Sequence, residues 1–169
     1  MLPGTHSKWA RIAQGRIAAF QTYATGEIYA LLTRHSFIAR AAEPAPGSVP
    51  AWSAFDRAAE FAASDEPTAD ALLSAVFSAR RGILAGALQP EEVGDYVSGL
   101  LIASEFRQAR AAVWLHPGEA IGIIGNSALT ERYGRVAPLF GLTIKPGPED
   151  AATLGVQRII GKLQLTEQE

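Results

Sequence analysis

The chain has 169 residues, of which 48% are hydrophobic and 19% are charged, a composition typical of one globular domain rather than of a disordered segment. Its formal net charge of −2, with no basic run, argues against a nucleic-acid partner. The absence of cysteine excludes disulfides, thiol catalysis and thiolate metal sites. No apolar stretch has the length of a membrane span and no signal-peptide pattern is visible, so we expect a cytoplasmic protein with no membrane partner.

The first third of the sequence predicts strands followed by a helix. A glycine-bearing turn at 14–16 separates apolar segments at 7–13 and 17–23, which is the pattern of an antiparallel hairpin. Residues 1–3 leave room for only a very short strand before it. Apolar residues then recur at helical spacing from 28 to about 36.

The middle of the chain predicts helices. A proline-rich connector occupies 41–50, and alanine, leucine and charged residues predominate after it. Amphipathic patterns follow up to about residue 112, and the last of them begins at Pro90, because proline suits the first position of a helix. The sequence therefore predicts an all-helical block at about 51–112.

The last third returns to alternating strands and helices. The apolar run at 119–125 does not alternate, as expected of a strand covered on both faces. Asn126 or Ser127 can cap the helix that follows, 142–144 predicts a short strand, and 148–150 begin a final helix. Parallel strands need helical crossovers, so the fold class is α/β with an antiparallel hairpin at one edge.

The turn that opens the chain is the first candidate binding site. Gly4 lets a ligand approach the backbone closely, Thr5 offers a hydroxyl, and Lys8 adds positive charge. These are the groups that a phosphate requires. The simpler interpretation of the same residues is an ordinary turn.

The second candidate site is the bend at Gly125, Asn126 and Ser127, which ends the apolar strand and begins a helix whose free amides favour an anion. Ligands of open α/β sheets bind at the carboxyl ends of strands. If the strands before the two turns are neighbours, both turns open into one crevice and favour a nucleotide site. Otherwise Gly125 is a tight turn and Ser127 merely a cap.

Several other polar and aromatic residues have structural interpretations. The three histidines are far apart and lack the spacing of metal ligands. Glu27 fits a helix-start charge better than a catalytic base. Glu105 lies off the main apolar stripe of its helix, which indicates a solvated or salt-bridged face. Trp9 is interpreted as a core aromatic, and Tyr133 as part of the inner face of its helix.

Four blocks of sequence resemble the 2-dehydro-3-deoxygalactonokinase family and occur in the family's order along nearly the whole chain. They are Pro3-Gly4-Thr5-His6-Ser7-Lys8-Trp9, Phe20-x-Thr22-x-x-Thr25-Gly26-Glu27 with Leu31-Leu32, Ser98-Gly99-Leu100-Leu101-Ile102 with Glu105, and Gly125-Asn126-Ser127-x-Leu129-Thr130-x-x-Tyr133. Members of that family phosphorylate a keto-deoxy sugar acid with ATP and have a two-lobed actin-like, hexokinase-like fold.

The resemblance implies that residues 1–169 are a single C-terminal-type kinase lobe and that the N-terminal lobe is absent. This actin-like (ribonuclease H-like) lobe would have a mixed five-stranded sheet, a hairpin at its edge and the helical insertion at about 51–112. The implied phosphate-binding residues are Gly4, Thr5, His6 and Lys8. The implied nucleotide-binding residues are Gly125, Asn126 and Ser127, with Glu27 near the cleft.

The implied cofactors are ATP and Mg²⁺. In such kinases the other lobe carries most sugar contacts and the acidic groups for base and magnesium, so no catalytic or metal-binding residue is assigned in this chain. Phosphoryl transfer needs those groups, and we expect negligible kinase activity from the lone chain and sugar-acid binding only with an N-terminal lobe. The alternative is a non-catalytic module that binds a nucleotide or a partner. Because the short first strand leaves its neighbour unpaired, a homodimer is also expected.

Overall fold

The N-terminal part of the chain is a hairpin followed by a helix. In the computed structural model, which describes residues 1–41, 49–66, 71–148 and 150–166, β1 (Ser7–Ala13) pairs antiparallel with β2 (Arg16–Tyr23). Gln14 and Gly15 join them with φ values of 51° and 72°, the left-handed conformations of a tight hairpin turn. Helix α1 (Thr25–His35) follows, with a 3₁₀ turn at Ala39–Ala41.

Four helices come next in the described ranges. They are α2 (Trp52–Ala63), α3 (Leu72–Val76), α4 (Ser78–Leu84) and α5 (Val93–Ala111). Pro90 begins a 3₁₀ turn that leads into α5, and the backbone amide of Gln89 donates to Glu92 Oε2 at 2.9 Å. Most of the predicted connector, residues 42–48, lies outside the described residues.

The last third contains a parallel pair of strands joined by a helix. β3 (Ala120–Ile123) and β4 (Thr143–Pro146) pair in parallel. They are connected by α6 (Ser127–Val136) and a 3₁₀ turn at Ala137–Phe140. The final helix, α7, spans Ala151–Thr166. Of the residues predicted to begin it, Glu149 lies outside the described residues.

The predicted fold class, mixed α/β, is confirmed, but the single five-stranded sheet is not what the structure has. In the described part of the chain, four strands form two separate two-stranded sheets. Residues 1–3 lie between the two sheets and form an isolated bridge, Leu2 to Lys8, and two backbone hydrogen bonds between Met1 and the segment of β3, but no strand. The prediction of a strand covered on both faces at 119–125 is also wrong. Ala120 and Gly122 are exposed and alternate with the half-buried Ile121 and the buried Ile123, so only one face of this strand is covered.

The core forms around α5, on which the hairpin, α2 and α6 pack. Trp9 is buried, as predicted, with its ring centroid 5.2 Å from that of Phe106, and Phe106 also stacks on Phe140 at 5.5 Å. Helices α2 and α5 approach each other closely at Gly99 of α5. A Cβ there would overlap the carbonyl oxygen of Phe55 on α2 and lie 3.0 Å from its carbonyl carbon.

Two of the apolar surfaces that the described residues leave outside this core lie on α7 and β2. The first is the stripe of α7, whose residues are 49–61% exposed: Val156, Ile159, Ile160 and Leu163. The second is on β2, where Ile17 and Phe20 are 67% and 69% exposed. Among the described residues, no helix combines the length and apolar character needed to cross a bilayer.

Candidate functional site

The two glycine turns lie side by side. The backbone amide of Ile124 donates to the Met1 carbonyl at 3.0 Å, and the Met1 amino group donates to the Gly122 carbonyl, which is the hydrogen-bond pattern of parallel strands. A Cβ on Gly125 would lie only 2.8 Å from Pro3 Cγ. The turn after residues 1–3 and the bend after β3 therefore open at the same edge, which is the condition for a shared crevice.

The start of α1 supports the first turn from behind. The amide of Glu27 donates to the Thr5 carbonyl at 2.9 Å. A Cβ on Gly26 would overlap the Gly4 carbonyl and lie 2.8 Å from Thr5 Cα, so only glycine fits at position 26. The opposite side of the turn is open, since no described atom lies within 4 Å of the position of a Cβ on Gly4. A ligand can reach the turn from that side.

The predicted polar residues of the first turn form one exposed group. His6 Nε2 and Glu27 Oε2 are 2.8 Å apart, with both side chains about half exposed at 51% and 52%. Lys8 Nζ lies 3.4 Å from the His6 carbonyl oxygen and donates to it. Glu27 therefore holds the ring of His6, and its charge also suits the first turn of α1.

In the second turn, the residue that caps α6 is Asn126. Its Oδ1 accepts a hydrogen bond from the Leu129 amide at 2.8 Å, and its carbonyl accepts from the Thr130 amide at 2.9 Å. Ser127 is the first residue of the helix and is exposed. Both predicted residues thus lie at the N-terminus of α6, where unpaired amides face solvent.

A small cavity of about 130 Å³ lies below the two turns, between α1, α5 and α6. Gly4, Thr25 and Gly26 form its upper wall, and Leu129 and Arg132 of α6 contribute the facing wall. Its volume is below the roughly 300–1,000 Å³ of a complete small-molecule site. The cavity is therefore part of a site rather than a whole one.

Arg132 is a residue of this cavity that the sequence analysis missed. One of its guanidinium nitrogens, Nη2, donates to Asp95 Oδ1 at 2.5 Å. The second terminal nitrogen, Nη1, is buried and has no hydrogen-bond partner among the described residues. The sequence signal that could have identified Arg132 is its spacing, because a residue three positions after Leu129 lies on the same inner face of the helix.

Glu105 lies in the interior, so the prediction of a solvated or salt-bridged face is wrong. It is 2% exposed, and its Oε1 accepts hydrogen bonds from Ser7 Oγ and Trp9 Nε1, each at 2.6 Å. Its Oε2 accepts from Tyr133 Oη at 2.8 Å and from Thr25 Oγ1. Burial, and then the charge of Glu105, raise the pKa of Tyr133. The position off the apolar stripe faces other elements, not solvent.

This carboxyl group connects the elements that carry the two turns. Ser7 follows the first turn on β1, Thr25 begins α1, and Tyr133 belongs to the helix that the second turn starts. Four donors on one side chain from α5 fix the relative positions of these elements. Glu105 is therefore a positioning residue for the candidate site.

The carboxylates near the turns are already paired. Glu27 contacts His6, Asp95 contacts Arg132, and Glu105 is saturated by donors. Over the described ranges, no cluster of three or more potential metal ligands occurs. These described carboxylates therefore do not form a magnesium site of their own.

The chain is thus a mixed α/β protein in which a glycine turn and a helix start share one edge, the place where ligands bind in open α/β folds. The chain belongs to the 2-keto-3-deoxy-galactonokinase family, whose model matches residues 1–159. The resemblance drawn from the four sequence blocks is thus confirmed.

Individual relatives agree with this assignment. The chain is 31% identical over 153 residues to the 2-dehydro-3-deoxygalactonokinase of Escherichia coli (strain K12), covering 90% of this chain and 49% of the relative. It is 30% identical over 151 residues to a protein of Rhizobium meliloti (strain 1021) named as a probable 2-dehydro-3-deoxygalactonokinase, covering 89% and 48%. A crystal structure from Sinorhizobium meliloti, provisionally assigned to the same enzyme, superposes with a TM-score of 0.71 at 30% identity, covering 88% and 48%. The chain spans about half the length of these relatives.

Proposed function

We propose that this chain is the ATP-side, C-terminal lobe of a kinase that phosphorylates 2-dehydro-3-deoxy-D-galactonate. The observation that carries the proposal is the adjacency of the two glycine turns, supported by the Met1–Ile124 hydrogen bond and the Pro3–Gly125 contact. Family membership supports the choice of reaction. In the actin-like lobe that we propose, residues 1–3 are the central strand, with β1 and β2 on one side and β3 and β4 on the other.

Each predicted site residue has a role in this proposal. The open backbone of Gly4 and the hydroxyl of Thr5 would bind phosphate oxygens, while Lys8 adds positive charge beside His6. The bend at Gly125, Asn126 and Ser127 would form the loop on the adenosine side of the nucleotide. ATP with Mg²⁺ would supply the phosphoryl group. Glu27 holds His6 in place at the rim of the cleft.

Catalysis requires a second lobe in this proposal. The cavity of about 130 Å³ is too small to enclose a nucleotide, and its nearby carboxylates are engaged in other contacts. Phosphoryl transfer also needs an oriented nucleophile and a metal between phosphate oxygens. The sugar acid, the general base and the magnesium ligands therefore belong to the half of the relatives that this chain does not match.

Nucleotide binding is the first test. We expect ATP with Mg²⁺ to raise the Tm of the isolated chain, because a ligand that binds only the folded state stabilises it. At five times its Kd the nucleotide would add about 1 kcal/mol, which corresponds to a Tm increase of about 2–4 °C. Asn126→Asp keeps the oxygen that caps α6 but adds negative charge at the turn, so binding should weaken about fivefold to tenfold.

Gln108→Glu is the matched control for this titration. It adds the same charge at an exposed position of α5, near its C-terminal end. We expect the control to bind ATP like the wild type. If ATP raised the Tm of the wild type, Asn126→Asp and Gln108→Glu by the same amount, the second turn would not be part of the nucleotide site.

Turnover is the second test. Incubated with ATP, Mg²⁺ and 2-dehydro-3-deoxygalactonate, the isolated chain should release no ADP above the background of a protein-free control in a coupled assay. The reason is that the described carboxylates near the two turns, Glu27, Asp95 and Glu105, are engaged in other contacts and are not available to orient the nucleophile. Substantial turnover by the lone chain would contradict the two-lobe requirement.

The exposed apolar stripe of α7 favours a second candidate function, a non-catalytic module that binds a partner. The two functions differ in the nucleotide titration. A partner-binding module without a nucleotide site would show no ATP-dependent Tm shift in the wild type or in either variant.

A further inference from the structure

We propose that the cavity between α2, α4 and α5 binds a small phosphate monoester, at a site separate from the two turns. The cavity has a volume of about 300 Å³, and its lining residues are Arg57, Phe61, Ser78, Arg81 and Tyr96. This volume is at the lower limit of the roughly 300–1,000 Å³ that small-molecule sites occupy. It can therefore hold one phosphate group together with a small organic body.

Two helices each bring an arginine to this cavity. On α2, Arg57 lies four residues before Phe61. On α4, Arg81 lies three residues after Ser78. Residues at these spacings share one face of a helix, so each arginine lies beside another lining residue of its own helix. Both arginines are exposed, and a ligand can reach them from solvent without any opening of the fold.

The positive charge of the cavity is not neutralised by the part of the chain that the structure describes. No carboxylate there forms an ion pair with Arg57 or Arg81. The acidic neighbour of Arg57 in the sequence, Asp56, is paired with Arg135. Arg57 Nη2 donates to the Ala87 carbonyl oxygen at 3.2 Å, which orients the guanidinium group and leaves its charge in place. Two cations that line one cavity repel each other unless an anion lies between them, so the cavity favours an anionic ligand.

A pair of hydroxyl groups adds neutral donors to the cavity. Ser78 Oγ and Tyr96 Oη are 2.9 Å apart, and Ser78 is only 9% exposed. Within this pair one hydroxyl donates to the other, so the hydrogen of the second hydroxyl is available to an oxygen of a ligand. Guanidinium and hydroxyl donors from three helices thus line the same cavity and can bind one anion together.

The charge and the number of donors favour a phosphate monoester over a carboxylate. A phosphate monoester carries a charge of about −1.5 to −2 at pH 7, which matches two guanidinium groups, whereas a carboxylate carries a single negative charge. Its three terminal oxygens can accept bidentate hydrogen bonds from the planar forks of two arginines. The rings of Phe61 and Tyr96 supply apolar surface for the organic body. We therefore expect the ligand to be a small phosphorylated metabolite of the sugar-phosphate type.

This cavity is distinct from the one below the two turns. Tyr96 lines the first cavity, whereas Ser98, two residues later on α5, lines the second. Successive residues of an α-helix are rotated by about 100°, so these two side chains leave α5 on nearly opposite sides. The two sets of lining residues have no member in common. A ligand bound between α2, α4 and α5 therefore leaves the two turns open to a nucleotide.

Isothermal titration of the chain with glucose 6-phosphate tests the site. We expect saturable binding by the wild type and at least about tenfold weaker binding by Arg57→Gln and by Arg81→Gln, because each variant loses hydrogen bonds between charged groups. Both arginines are exposed, so both variants are expected to fold. Arg158→Gln is the matched control, since it removes the same charge from an exposed position of α7 and should bind the probe like the wild type.

Two further titrations of the wild type test the class of ligand. Gluconate replaces the phosphate by a carboxylate, and inorganic phosphate lacks the organic body. Each should bind at least about fivefold more weakly than glucose 6-phosphate. Equal affinity for gluconate would overturn the preference for phosphate, and equal affinity for inorganic phosphate would overturn the role of the organic body. No binding of glucose 6-phosphate by the wild type, or unchanged binding by both arginine variants, would overturn the site itself.

The Asn126→Asp variant separates this site from the nucleotide site. We expect Asn126→Asp to bind glucose 6-phosphate like the wild type, and Arg81→Gln to keep the full increase in Tm with ATP and Mg²⁺. If Asn126→Asp lost the probe while Arg81→Gln retained it, the phosphate would be bound at the turns and the site between the three helices would be refuted. The two proposals fail separately, because each has its own ligand and its own variant.

Discussion

Replacing Glu105 with alanine should lower the free energy of unfolding by about 3–5 kcal/mol. Four donors, three buried and one half-buried, would lose their acceptor at once: Ser7 Oγ, Trp9 Nε1, Tyr133 Oη and the half-buried Thr25 Oγ1. A cavity would remain where the carboxyl group was, in a position only 2% exposed. Equilibrium denaturation in urea, followed by tryptophan fluorescence and by circular dichroism, measures the change.

Two further variants separate the hydrogen-bond network from a general effect of mutation. Glu105→Gln should lower the free energy of unfolding by only about 1–2 kcal/mol. Its carbonyl oxygen can still accept from Trp9 and Ser7, and its amide can donate to the hydroxyls of Thr25 and Tyr133, which accept as well as donate. Glu131→Ala, at an exposed position of α6, should change stability by no more than about 0.5 kcal/mol. A Glu105→Ala protein within 1 kcal/mol of wild type would refute the structural role.

The local features of the fold could be predicted from the sequence. The hairpin was predicted at 7–13 and 17–23 and observed at Ser7–Ala13 and Arg16–Tyr23, because alternating apolar residues around a glycine turn specify both strands and the turn. The sequence predicted that either Asn126 or Ser127 caps α6, and Asn126 is the residue that caps it. Such signals act over a few residues, and tertiary packing does not need to be known to interpret them.

The interior polar contacts could not be predicted, because they join residues that are distant in sequence. The partners of Glu105 are 98, 96, 80 and 28 positions away. Helical periodicity shows that Glu105 lies off the apolar stripe, but it cannot show that three other elements cover that side. Arg132 was missed for the same reason, since its partner Asp95 is 37 positions away.

The sheet was mispredicted for a different physical reason. Central strands are stabilised by neighbours on both edges, and the segment at 1–3 supplies only one bridge and two bonds between β1 and β3. The strands on each side therefore remain separate pairs. The apolar stripe of α7 was visible in the sequence, but its exposure was not, because a periodic pattern predicts an apolar face and not what covers it.

Replacing Gly99 with alanine should destabilise the chain by about 2–3 kcal/mol, even though alanine is the better helix former. The added methyl group would overlap the Phe55 carbonyl oxygen and lie 3.0 and 3.2 Å from its carbonyl carbon and Cα. These are backbone atoms of α2, so no side-chain rotation relieves the overlap and the two helices must separate. The midpoint of thermal unfolding would fall by about 2–4 °C for each kcal/mol.

Gly134→Ala is the matched control, because it makes the same substitution inside α6, where nothing lies within 4 Å of the new methyl group. Because this substitution has no steric cost, only the higher helix propensity of alanine acts, and the free energy of unfolding should rise by about 0.5–1 kcal/mol. The two substitutions are expected to have opposite signs. If Gly99→Ala were also stabilising, α2 and α5 would be farther apart in solution than the structure places them, and the core around Phe55 would need another arrangement.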